Sequence, residues 1–260
     1  MLMVFRYIRY LFRAKTKHGI HSPFVFELVT RVLNDQKQHA EYQQVESLRK
    51  QLLRNGNTIE VIDFGARKGN SGYSTYFRKV NEIARRAAIP VKYGRLLLRL
   101  IKYYKPRTML ELGSSVGIST MYQAMGNPVA RFTSVEGCAT TAEYAINNIK
   151  MLGLPNTRFV IGNFDVVLNE ALSGFESLDY AFIDGNHTSE ATMRYFNAIV
   201  ELAGNDSVYI IHDIHWSPDM ETAWQQICRH PSVKVTIDLF YMGLVFFRKE
   251  MSAEHFIIRF

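Results

Sequence analysis

Glu111, Gly113, Ser115, Gly117 and Ser119 lie where a short apolar run meets a glycine turn and then a helix start, a pattern suited to holding a small ligand. Gly113 permits a turn that a side chain would obstruct, Gly117 lets backbone approach a ligand, and Ser119 stands near a helix N-terminus. Ser115 occupies the place where a dinucleotide fingerprint needs its second glycine. Glu111, just before the first glycine, is the distinguishing detail. A pyrophosphate drawn to that helix N-terminus would be repelled by a nearby carboxylate, whereas a cationic ligand meets no such conflict. Glu136, at the end of the next apolar run, offers two acceptor oxygens, enough for both hydroxyls of a ribose. Asn163 and Phe164 follow Gly162 and supply an amide and a ring that could bond and cover an adenine.

A second constellation lies further along. Asp184, Asn186 and His187 follow one apolar run, and His212, Asp213, His215 and Trp216 end another. If both runs are strands of an open α/β sheet, these groups converge beyond the carboxyl ends, where such sheets bind ligands. Asp184 suits a helix cap or a cofactor contact as well as catalysis. His187 is a candidate base or a surface histidine, and His212 and Asp213 read as a pair that tolerates burial together. Trp216 suits a wall or lid, while His18 and His21 have no partner legible in the sequence.

The elements that position these groups follow from periodicity. Strand-like runs are expected at 108–112, 131–135, 157–161, 178–183 and 208–211, separated by helices at 119–125, 141–152, 165–172 and 190–202. That alternation indicates a doubly wound, mostly parallel α/β sheet. Two β-rich runs, 233–240 and 242–248, predict a C-terminal antiparallel hairpin. Upstream, helices are expected at 2–14, from Ser22-Pro23 onward, at 36–53 and at 85–105. The run from Ile59 to Gly69 looks like a nucleotide-binding strand and loop but lacks the lysine and hydroxyl of a phosphate loop, and Arg67, Lys68, Asn70 and Ser71 read as an exposed basic loop. The expected organisation is a helical N-terminal extension, 1–90, on or near a catalytic domain, 91–260.

With the Glu111/Gly113/Gly117 motif and Glu136 in hand, the chain resembles the class I S-adenosylmethionine-dependent methyltransferases, a Rossmann-like class, and within them the catechol-type small-molecule O-methyltransferases. The similarity covers about 91–249 and includes Lys92, Tyr93 and Gly94, which resemble the family's segment near the methionine end of the cofactor. It implies S-adenosylmethionine as cofactor, held by Tyr93, Glu111, Gly113, Ser115, Gly117, Ser119, Glu136 and Asn163. It also implies a divalent metal, with Asp184 matching the family's first ligand. His187 stands where the family has a catalytic lysine, and His212 and Asp213 stand where it has an Asp-Asn metal pair. Exchanging an oxygen ligand for imidazole shifts preference from magnesium toward transition metals. The expected catalytic group is then His187, Asp184 and Asp213, with Asp184, His212 and Asp213 as the metal set.

The chain has 260 residues, 47% of them hydrophobic and 21% charged, enough to bury a core. Its two cysteines fit neither a disulfide framework nor a zinc site, so a cytoplasmic setting is expected. No apolar run reaches the ~20 residues of a spanning helix. Residues 1–107 hold 22 Lys and Arg against 7 Asp and Glu, and residues 108–260 hold 9 against 17. That asymmetry suits an anionic partner or the packing of one half on the other. A nucleic-acid methyltransferase is one alternative, but the Asp184-Gly-Asn-His187 stretch lacks the Pro-Pro-aromatic loop of base N-methylation; a cofactor-binding module without turnover is another. A small-molecule acceptor is therefore preferred over nucleic acid. Residues 2–14 form a basic amphipathic helix, with Val4, Phe5, Ile8, Leu11 and Phe12 on one face. That stripe is expected to dock on the protein's own core or on a twin subunit in a homodimer, with peripheral membrane contact as the remaining option.

Overall fold

The computed structural model describes residues 2–65 and 73–260. The expected basic loop at Arg67, Lys68, Asn70 and Ser71 lies outside them. The chain divides into two compact units, residues 1–35 with 175–260, and residues 36–174.

The 36–174 unit contains helix α3 (Ala40–Arg54), an antiparallel hairpin of β1 (Thr58–Asp63) and β2 (Ser74–Lys79), and helices α4 (Val80–Arg86) and α5 (Val91–Tyr104). It continues through β3 (Thr108–Leu112), α6 (Ile118–Gly126), β4 (Arg131–Glu136), α7 (Ala139–Met151), β5 (Thr157–Ile161) and α8 (Phe164–Leu172). Strands β3, β4 and β5 run parallel, with Glu111 beside Ser134 and Glu136 beside Ile161. Two expectations change here. The single helix over 85–105 is two, because Pro90 adopts extended geometry (ψ 145°) and brings no N–H to the helical ladder. The stretch upstream of residue 90 is not purely helical, since β1 and β2 pair along their whole length.

Close packing of helices explains two glycines. A Cβ on Gly94 of α5 would lie 2.3 Å from the Tyr122 ring of α6. One on Gly117 would meet the Ala145 backbone of α7 at 2.7 Å, and Gly117 also sits at φ +85°. Gly117 thus lets α7 approach closely, in a backbone conformation that favours glycine.

The other unit opens with α1 (Leu2–Arg13) and α2 (Pro23–Leu28), which widens into one π turn over Val29–Leu33. It resumes with β6 (Leu178–Ile183), α9 (Ser189–Val200), β7 (Ala203–His212), α10 (Pro218–Cys228), β8 (Val235–Asp238), β9 (Met242–Phe246) and β10 (Glu254–Ile257). The strand order is β10-β8-β9-β7-β6. β6 and β7 are parallel, β9 is antiparallel to both β7 and β8, and β10 returns parallel to β8. The expected C-terminal hairpin is β8 and β9, and β10 extends it. The class is therefore α/β, Rossmann-like and mostly parallel, with antiparallel strands near the C-terminus. Ser22 makes no side-chain bond to the start of α2, although Pro23 occupies its first turn as expected.

Helix α1 docks in an unexpected orientation. Its inward contacts come from Arg6, whose Nε lies 3.3 Å from Glu221 Oε1, from Tyr7, whose ring meets Phe240 edge-on, and from Tyr10, whose hydroxyl donates to the Ile258 carbonyl at 2.5 Å. Burial pushes the Tyr10 hydroxyl up to about 12, so it stays protonated and able to donate. Of the expected stripe, Val4, Phe5, Ile8 and Phe12 point the other way and are exposed while Leu11 is half-buried, which overturns the expectation that the protein's own core covers the whole of it.

Candidate functional site

In the 36–174 unit the site is a glycine loop held from two sides by carboxylates. Gly113 (φ +101°), Ser115 (φ +48°) and Gly117 (φ +85°) all adopt left-handed backbone, so the loop between β3 and α6 is a tight reversal. Ser115 takes a conformation glycine would adopt at less cost. Glu136, at the end of β4, accepts the Ser115 N–H at 2.7 Å through Oε2, and the Cys138 N–H at 3.0 Å and the Thr141 hydroxyl at 3.2 Å through Oε1. The carboxylate orders the loop facing it, and because Glu136 is only half-buried a ligand seated on that loop can reach it.

Glu111 stands elsewhere than expected. It is fully buried, and four side chains bond to it: Ser119 Oγ and Gln123 Nε2 at 2.6 Å to Oε1, Thr120 Oγ1 at 2.6 Å and Ser134 Oγ at 2.7 Å to Oε2. Burial pushes its carboxyl up to about 7, against the pull of these four bonds. With every approach occupied by protein, Glu111 and Ser119 do not present themselves to a ligand; they tie the start of α6 to β3 and β4. Tyr93 is likewise buried, on α5. Asn163 caps α8, its side-chain oxygen accepting the Asp165 N–H at 3.0 Å.

The run that imitates a nucleotide-binding strand borders this loop. The Ile62 N–H lies 3.3 Å from Cys138 Sγ, and the Thr140 hydroxyl donates to the Glu60 carbonyl. A Cβ on Gly137 would come within 2.9 Å of Phe64 Cδ2. Hairpin β1–β2 is therefore latched to the turn that presents Glu136. Nothing local in the sequence announces a contact between segments so far apart along the chain.

In the other unit, parallel pairing puts Ile183 beside Ile211, so the next residues on each strand, Asp184 and His212, emerge together at the carboxyl ends of β6 and β7. His212 Nδ1 lies 2.9 Å from Asp184 Oδ1 and 3.6 Å from Asp213 Oδ2. His187 Nε2 is 3.8 Å from Asp184 Oδ1. Asn186 (φ +67°), His187 (φ +32°) and Asp213 (φ +54°) are all in left-handed conformations, a concentration of backbone cost of the kind found at functional loops. Burial alone would depress the His212 imidazole, but the Asp184 and Asp213 carboxylates outweigh it and hold the group at about 9. Burial likewise raises Asp184, yet His212 and His187 bring it below the ordinary carboxylate range. Asp213 is raised by burial. His212 Nε2 is buried and has no hydrogen-bond partner.

One ligand atom from each of Asp184, His212 and Asp213 falls within 4.8 Å of the others, the spread of a site for one metal ion. His215 belongs to a different network. Its Nδ1 meets Glu221 and its Nε2 meets Asp238, both at 2.8 Å, and its ring stacks on Phe240. Both nitrogens are occupied, so His215 joins α10 to β8. Trp216 is exposed.

Comparison with known proteins bears on the fold that carries these residues. The family model described as a methyltransferase domain matches residues 110–214. Among solved structures, the O-methyltransferase from Bacillus cereus in complex with S-adenosylhomocysteine aligns at TM-score 0.56 and 17% identity, covering 86% of this chain and 97% of that one. A cofactor-bound protein from MTB aligns at 0.56 and 23% identity over 64% of this chain and 84% of that one. The O-methyltransferase TomG of Streptomyces achromogenes, involved in tomaymycin synthesis and solved with S-adenosylmethionine, aligns at 0.53 and 19% identity over 62% and 81%. At these identities the likeness is one of fold.

Proposed function

Residues 110–214 being a methyltransferase domain of the S-adenosylmethionine-dependent class, we propose that the chain transfers the cofactor's methyl group to an oxygen of a small molecule. The observation that carries the acceptor side is the cluster of Asp184, His212 and Asp213, with the buried His212 Nε2 unsatisfied. A buried imidazole nitrogen without a partner is costly unless a ligand completes it. Two carboxylates and an imidazole fit a divalent ion, and the nitrogen donor favours manganese or a similar transition metal over magnesium. Bound there, an ion would make an acceptor hydroxyl more acidic.

The protein's own groups supply the rest. Glu136 orients the ribose, and the Ser115 and Gly117 turn lets the cofactor approach the backbone. His187, adjoining Asp184, takes the acceptor's proton. The acceptor oxygen then bonds to the methyl carbon as the carbon–sulfur bond breaks, and that bond's electron pair stays on sulfur in S-adenosylhomocysteine. Alignment of the oxygen with the methyl carbon supplies much of the rate.

Two measurements test this reading. Titration calorimetry should show S-adenosylhomocysteine binding at micromolar strength, weakened by about 1.5–3 kcal/mol in Glu136→Ala, as expected for a lost charge-assisted hydrogen-bond pair. Equal affinity in the two proteins, or tighter binding of NAD, sinks the cofactor assignment. Transfer to a catechol acceptor should disappear after chelator treatment and return with manganese. Transfer that ignores the chelator removes the metal from the mechanism and leaves His187 as an unaided base.

A further inference from the structure

Helix α1 is amphipathic in the reverse of the usual sense. Its inward face is made of Arg6, Tyr7 and Tyr10, held by an ion pair, ring contacts and a hydroxyl bond. Just beyond its end, Lys15 adds backbone bonds to Ile257 and Arg259. Its apolar face is turned outward: Val4 is 60% exposed, Phe5 63%, Ile8 43% and Phe12 88%. On a helical projection Val4, Phe5, Ile8 and Phe12 fall within about 100° of arc, nearly opposite Tyr10. A helix fixed by its polar side, with two phenylalanines presented to water, is built to meet something apolar.

The charges around that face decide what it meets. From the start of the chain to Phe26 the charged side chains are Arg6, Arg9, Arg13, Lys15 and Lys17, with no Asp or Glu among them. Arg6 is paired with Glu221, whereas Arg9, Arg13, Lys15 and Lys17 form no ion pair among the described residues. Arg9 and Arg13 lie along one flank of the apolar arc, and Lys15 and Lys17 follow its end. A second copy meeting this face about a two-fold axis would bring the same cations to the same surface, with no acid on the helix to neutralise them. An anionic lipid surface offers both complements at once, phosphate oxygens for the flank and acyl carbon for Phe5 and Phe12.

We propose that α1 is a membrane-docking helix, lying in the headgroup region of an anionic bilayer with Val4, Phe5, Ile8 and Phe12 inserted and Arg9, Arg13, Lys15 and Lys17 on the lipid phosphates. The helix is 12 residues long, about 18 Å. That is far too short to span, and no helix among the described residues is long and apolar enough to cross a membrane.

The test is sedimentation of the full chain with vesicles of phosphatidylcholine alone or of phosphatidylcholine mixed with phosphatidylglycerol, run beside light scattering of the free protein. Binding is expected only to the anionic vesicles and is expected to fall steeply between about 50 and about 500 mM salt. Phe5→Ser with Phe12→Ser should weaken it at least about tenfold. Arg9→Ser with Arg13→Ser should weaken it about thirtyfold, from roughly a kilocalorie per cation. Because all four side chains are exposed, the melting temperature of both double variants should stay within about 2 °C of wild type. Failure of the wild type to bind anionic vesicles overturns the proposal, as does undiminished binding by the Phe5/Phe12 variant. A dimer of the free protein that the Phe5/Phe12 substitutions dissociate assigns the face to a second copy and overturns it equally.

Discussion

Asp184→Asn is expected to lower methyl transfer by about a thousandfold while shifting S-adenosylhomocysteine affinity by no more than about twofold. The substitution keeps the shape of the side chain and removes one charge. That charge faces His212 Nδ1 at 2.9 Å and His187 Nε2 at 3.8 Å, so two imidazoles answer to it. If a metal is held, the substitution takes away an anionic ligand; without one, it takes away the group that orients both imidazoles. The cofactor affinity should hold because the residues proposed to hold the cofactor, Glu136, Ser115 and Gly117, belong to the other compact unit. Single-turnover transfer from labelled cofactor to a catechol acceptor measures the first quantity and calorimetry the second. An Asn variant within tenfold of wild type would remove Asp184 from the chemistry, and a parallel loss of cofactor affinity would make its role one of folding.

That the sequence already points to Asp184 and His212 has a physical reason. Both stand at the end of an apolar run, and a parallel sheet brings such ends to one edge whatever the connections do. The runs at 108–112, 157–161 and 178–183 form strands over those same residues because each is bounded by residues that leave the sheet. Helix α10 carries an equally legible signal that the periodicity reading omits. Ser217 caps it by accepting the Met220 N–H, Pro218 opens it, and Asp219 and Glu221 fill its first turn.

Other features depend on partners far away in the chain. β2 alternates half-buried and exposed side chains faintly, and its register with β1 is set by pairing rather than by either segment. β10 is a short strand placed by a parallel bond pattern to β8. The amphipathic pattern of α1 is plain, but a pattern says only that two faces differ. Which face turns inward is decided by Glu221, Phe240 and the Ile258 carbonyl, all at the opposite end of the chain.

Glu111 shows the same dependence at the level of one carboxylate, and its removal should have the largest effect on stability. Glu111→Ala is expected to destabilise the fold by about 3–5 kcal/mol, since it leaves Gln123 Nε2 and the Ser119, Thr120 and Ser134 hydroxyls facing an empty polar cavity. Glu111→Gln should cost far less, because the Thr120 and Ser134 hydroxyls can rotate to accept from the two N–H groups of the new amide while its oxygen keeps the Ser119 and Gln123 donors. The two variants also differ from wild type in pH response. Burial raises the Glu111 carboxyl to about 7 from an ordinary value near 4.5. An acid raised on folding binds its proton more tightly in the native state, so its contribution is present below about pH 4.5 and is lost as pH rises through about 7. Wild type should therefore lose more stability between pH 5.5 and pH 8.5 than Glu111→Gln, whose side chain does not titrate. Urea unfolding of both proteins at the two pH values measures the difference. Parallel pH profiles would mean that the four donors keep Glu111 ionised throughout, and an alanine variant as stable as wild type would mean that they bind water or one another instead.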